Sequence, residues 1–164
     1  MHRLIIFFFL ILIIFQSFAQ DQFSGKVVGV SDGNTLQIID NHQDTISVVL
    51  KSIDCPELNQ EMGKAARSYT TKYCLGSTVG VELFGKDRFG NDIANITINK
   101  TDLSKSLLEA GLAWYYCKNK GEATLEALEK SARAKKAGLW ANENPVEPWI
   151  FRRQQSMLAP KLSY

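Results

Sequence analysis

"GVSDGNTLQI", residues 29–38, places a glycine turn between two apolar segments, with Asp32 before Gly33 and Asn34 after it. A turn that offers two carboxylates can hold a metal ion; here the second position is an amide. The stretch therefore reads in two ways, as a metal site short of one charge or as a plain hairpin. On either reading it joins two strands. "FSGKVVGV" (23–30), "NTLQIID" (34–40) and "TISVVLKSI" (45–53) carry Val, Ile and Thr in partial alternation, separated by the turn formers "SDG" and "DNHQD". That pattern predicts an antiparallel meander. Pro56 in "DCPELNQEMG" (54–63) stops the ladder, because proline donates no backbone hydrogen bond.

Further along, "GKAARSYTTKYCLG" (63–76) predicts a short helix. Ala66, Tyr69 and Tyr73 recur at three and four, and Gly76 suits its end. "TVGVELF" (78–84) and "DIANITI" (92–98) predict two more strands. "TDLSKSLLEAG" (101–111) predicts a second helix, capped by Thr101, with Leu103, Leu107 and Leu108 inward. A third is predicted within 121–140, with Leu125, Leu128 and Ala132 inward. Glu126–Lys130 and Glu129–Arg133 are spaced as pairs on its solvated face. Five strands with helices after the third and fifth point to a β-barrel with helices (α+β), a five-stranded OB-fold barrel with three α-helices. The chain has 164 residues, 45% of them hydrophobic, enough for one domain with a real core.

The first residues stand apart. Arg3 precedes an unbroken apolar run from Leu4 to Phe15, and Ser17-Phe18-Ala19 follows. This is the layout of a cleaved export signal, and the run is shorter than the roughly 20 residues a membrane span needs. The expected division is a signal peptide over 1–19, an OB-fold domain over 20–150 and a polar tail over 151–164. The product is expected to be exported, periplasmic or secreted, monomeric and free of the membrane after cleavage. Removing Arg3 leaves 18 basic against 17 acidic residues, so binding to nucleic acid needs a local basic patch. Cys55, Cys74 and Cys117 allow one disulfide in three pairings. His42 is the one histidine after the signal and sits in a polar turn, which argues against histidine-rich zinc sites and a Ser-His-Asp triad.

Six stretches, "VVGVSDGNTL", "IDCPE", "GKAA", "VELFGKDRFGNDIA", "LLEAGLAWYY" and "SARAKKAGLW", resemble staphylococcal-nuclease-like (thermonuclease) domains in order and spacing, from about Phe23 to Trp149. The resemblance implies an OB-fold barrel with three helices. For active members it implies calcium-dependent cleavage of DNA and RNA phosphodiesters. It also implies roles for individual positions. Asp54 and Asn34 match the metal-binding aspartates, Cys55 the residue that lends its backbone carbonyl to the metal, and Glu57 the glutamate that activates water. Three positions depart from the family's pattern. Asn34 stands for the second aspartate of Asp-Gly-Asp-Thr. Val49 and Asn91 stand where the two catalytic arginines are expected.

Calcium affinity follows the number of charged oxygen ligands, so a site with Asn34 in place of a carboxylate is expected to hold calcium weakly or not at all. The arginine losses weigh more. Cleavage builds charge on phosphoryl oxygens, and arginine meets it with a fixed fork of donors. Lys51, two residues after Val49, and Arg88, beside Asn91, are the nearby candidates to substitute. Arg88, Tyr115 and Tyr116 are candidates to bind nucleic acid, single-stranded DNA or RNA. Trp149 with Arg152 and Arg153 in the tail can stack bases and hold phosphates, or be a solvated end. The reading that follows is a domain with a degenerate site that binds nucleic acid or a protein partner with weak or no cleavage. The alternative is an active calcium-dependent nuclease with a modified site.

Overall fold

The computed structural model describes residues 21–117 and 121–158. The expected signal over 1–19 and the last six residues of the tail lie outside the described residues. Alternation of buried and exposed positions builds the first three strands, β1 (Gln22–Val30), β2 (Thr35–Ile39) and β3 (Thr45–Leu50). Val27, Leu36, Ile38, Val48 and Leu50 point inward and are almost fully buried. Val49 falls on the opposite phase and is half-buried on the outer face.

A two-residue strand, β4 (Ile53–Asp54), follows, then helix α1 (Gly63–Cys74) and the long hairpin of β5 (Thr78–Lys86) and β6 (Asp92–Ile98). β1 pairs with both β2 and β5, β5 pairs with β6, and β6 returns to lie parallel to β3 through Val49↔Ile93. That parallel pair closes a five-stranded barrel of OB type. The remainder packs on it: β7 (Thr101–Asp102), α2 (Leu103–Glu109), β8 (Trp114–Tyr115) and α3 (Ala123–Ala134). Leu103, Leu107 and Leu108 of α2 plug the barrel. Asp102, not Thr101, caps α2, accepting from the Lys105 N–H at 3.0 Å.

The helix count differs from expectation. After a 3-10 turn (Gly138–Ala141), residues Pro148–Leu158 form a fourth helix, α4, which runs from the end of the expected domain into the tail expected from residue 151. Proline at the first position of a helix loses no intrahelical bond, so Pro148 starts α4 rather than breaking it. Trp149 holds it down, meeting Trp114 at 6.0 Å and Tyr116 at 4.9 Å between ring centroids. Trp114 in turn packs edge-on against Trp140 at 4.5 Å. Two polar latches fix the segment before α4: Gln60 Nε2 donates to the Val146 carbonyl, and Asn142 Nδ2 donates to Glu61. Cys55 and Cys74 are buried thiols not joined to each other, and burial pushes Cys74 up to about 11.

Candidate active site

The turn at Asp32–Thr35 is built by its own side chains. Asp32 Oδ1 accepts from the Asn34 N–H at 2.9 Å, the local bond that an aspartate before a glycine favours. Thr70 of α1 donates to the Gly33 carbonyl at 2.6 Å. A Cβ on Gly33 would lie 2.7 Å from the Cβ atoms of both Ala66 and Cys55, so only glycine permits this approach. Asn34 is buried, and its Oδ1 accepts from the Cys55 N–H at 2.9 Å. The amide thus ties the first turn to the loop that carries Asp54 and Glu57. Asn34→Ala leaves a buried N–H without its partner and is expected to cost about 1–3 kcal/mol, read by chemical denaturation. An unchanged midpoint would show that the bond contributes nothing.

Asp54 reaches the site from β4, held by pairing with Trp114 of β8. Glu57 follows Pro56 in a loop closed by the Gln60 N–H on the Glu57 carbonyl at 2.9 Å. Both carboxylates are met by one cation, Arg152 of α4. Its Nη1 and Nη2 donate to Asp54 Oδ1 and Oδ2 at 3.1 and 2.7 Å, and Nη1 also donates to Glu57 Oε1 at 2.7 Å. The Asp54 side chain is only 10% exposed. Burial raises its carboxyl above the ordinary aspartate value, and the Arg152 fork pulls it back only part of the way. Arg152 is in turn raised, chiefly by its bond to Asp54.

The candidate substitute cations are placed elsewhere. An ideal strand would have set Lys51 on the face of Val49, but β3 ends at Leu50 and Ser52 turns the chain with a φ of 63°. Lys51 instead pairs with Glu122 at 3.0 Å and sits 4.0 Å over the Phe84 ring. Arg88 lies 4.6 Å over the exposed Phe89 ring in the β5–β6 turn. Asn91 braces that turn: its N–H and Nδ2 both donate to Asp87, at 2.9 and 2.8 Å. Tyr115 is committed as well, its hydroxyl accepting from the Glu122 N–H at 2.6 Å. Tyr116 lies against Trp149 of α4, the helix that carries Arg152.

These residues do not fit a divalent cation as arranged. Both Asp54 oxygens and one Glu57 oxygen accept from Arg152, and the Asn34 oxygen accepts from Cys55. Among the described residues no group of three or more His, Cys, Asp or Glu side chains could hold a metal. In the sequence Arg152 reads only as one of a pair of tail arginines with Arg153. The missed signal was "EPWIFRR" (147–153), a helix start and an aromatic anchor with arginine one turn on.

Residues 47–142 match the family described as Staphylococcal nuclease homologue. An uncharacterized endonuclease of Escherichia coli is 32% identical over 132 residues, 80% of this chain and 86% of that protein. One of Haemophilus influenzae is 29% identical over 148 residues, 90% of this chain and 83% of that protein. The micrococcal nuclease of Shigella flexneri is 33% identical over 143 residues, 80% of this chain and 81% of that protein.

Proposed function

The chain belongs to the staphylococcal nuclease family, and from that premise we propose that it is an exported member that binds nucleic acid and cleaves phosphodiesters weakly or not at all. One observation carries the reading: the cation on Asp54 and Glu57 is an internal arginine. A working hydrolase needs its base open to water and its donors aimed at the phosphate. Here one Glu57 oxygen is engaged by Arg152, Val49 has no donor and Asn91 is spent on Asp87. Removing a single donor of this kind typically costs about 10²–10³ in rate. Calcium binding is proposed to be weak or absent on the same grounds.

Tyr116, Trp149 and Arg153 are the proposed means of binding: Tyr116 and Trp149 bring two rings together, and Arg153 follows Trp149 by four residues on α4. Single-stranded DNA or RNA suits such a surface, because unstacked bases lie against rings. The second reading, an active calcium-dependent nuclease, draws on the retained closeness of Asp54 and Glu57 and on the relatives' names.

Labelled single-stranded DNA, incubated with the purified protein in calcium or in chelator, distinguishes the two. The expected result is binding that weakens steeply with salt, with cleavage at background under both conditions. Calcium-dependent cutting that disappears in Glu57→Gln would establish the second reading instead. Neither binding nor cutting would sink both and leave a protein partner.

A further inference from the structure

We propose that Arg152 is the resident cation of this site, so that α4 and a divalent ion exclude one another at Asp54 and Glu57. The claim is about ion binding, and it stands or falls whether or not the protein binds or cuts nucleic acid.

A nearly buried carboxylate needs a partner, because leaving it alone in the protein interior is expensive. Such a partner can be a metal ion or a positively charged side chain. Arginine suits this pair of acids for geometric reasons. Its planar fork matches the two oxygens of Asp54, and the second hydrogen on Nη1 is placed for Glu57. A hard cation such as calcium collects six to eight oxygens and would draw on the same lone pairs. It would also have to come close to a guanidinium that never deprotonates in a protein. Both cannot sit between these acids.

Arg152 is held in place before any ligand arrives. Trp149, three residues earlier on α4, is seated against Trp114 and Tyr116. The approach to α4 is latched by Gln60 to Val146 and by Asn142 to Glu61. The latches start from the same 57–63 loop that carries Glu57, so the acid and its counterion are positioned by one piece of structure. The head of Arg152 is nevertheless at the surface, its side chain 46% exposed, so it can leave without opening the core.

Terbium is a suitable probe, since its emission is sensitised by nearby tryptophan. The full chain is compared with Arg152→Gln, Arg152→Lys and the double variant Arg152→Gln, Asp54→Asn. In the parent protein, emission is expected to stay unsaturated up to about 1 mM ion. Arg152→Gln should bind about tenfold or more tighter, a gain of about 1.4 kcal/mol or more. Arg152→Lys, which keeps the charge and loses the fork, should fall between them. Added calcium should displace the terbium, and the double variant should lose the gain. Equal affinity in the parent and Arg152→Gln would overturn the proposal, as would a gain that survives Asp54→Asn. Far-UV circular dichroism checks each fold. If the glutamine variant is unfolded, the lysine variant decides alone, and an affinity there equal to the parent's overturns the claim.

Discussion

Gly63→Ala is expected to lower the thermal midpoint by roughly 10 °C, a loss of about 3 kcal/mol in a domain of this size. A Cβ at residue 63 would lie 1.8 Å from the Glu57 carbonyl oxygen and 3.1 Å from the Cα of Leu58. Those are backbone atoms, which cannot swing aside as a side-chain end would. Relief requires the 57–62 loop to lift from the start of α1. The Gly63 N–H donates to the Gln60 carbonyl at 3.1 Å, and the Gln60 N–H donates to the Glu57 carbonyl. Lifting the loop therefore strains both closing bonds together. It also carries Glu57 away from Arg152 and pulls Gln60 from Val146. Differential scanning calorimetry reads the first effect. The tryptophan emission of the Trp114–Trp140–Trp149 group reads the second, since that group seats α4. A midpoint within 2 °C of the parent, by the usual scaling of less than about 1 kcal/mol, would show that the loop gives way freely.

Gly63 also illustrates what the sequence disclosed and what it did not. Its place at the head of a helix was readable; its contact with Glu57 was not, because backbone-to-backbone approach leaves no mark on residue type. The barrel strands were legible because each has one wet and one dry face, as in Val27 against Val28 or Val48 against Val49. The same alternation could have placed Val49 outside, but a valine in an apolar run looks inward whatever its phase. The pairing of β4 with β8 escaped because two residues carry no period. It matters nevertheless, since it sets Asp54 beside Trp114. α4 escaped because proline, arginines and glutamines read as a tail, whereas Trp149 supplies tertiary anchoring that overrides local propensity. The bond from Arg152 to Asp54 spans 98 positions, and no local pattern reports a contact of that range. Asn34, Asp54 and Glu57 were legible as a constellation only through the family resemblance; individually, polar residues in turns are commonplace.

Restoring the missing groups is expected to have the largest effect on activity, and only when Arg152 is removed with them. Asn34→Asp, Val49→Arg and Asn91→Arg together return one carboxylate and two guanidinium groups. Donors of this type are each typically worth about 10²–10³ in rate, though such effects rarely add in full. Val49 is half-buried on the outer face, so an arginine there can extend without entering the core. At residue 91 the backbone N–H to Asp87 survives the change, and only the Nδ2 bond is lost. The fold should therefore tolerate all three. Yet Asp54 and one oxygen of Glu57 would remain engaged by Arg152. The triple variant alone should cut single-stranded DNA no more than about tenfold faster than the parent, and adding Arg152→Gln should raise the rate by a further 10-fold or more, to about 10² overall. Arg152→Gln by itself should leave cleavage at background, because no donor then faces the phosphate. The four rates form a cycle whose non-additivity measures the coupling between α4 and the site. A triple variant already at its ceiling with Arg152 in place would break that coupling. It would mean that the guanidinium gives way to substrate without resistance, and that the degenerate positions alone account for weak cleavage.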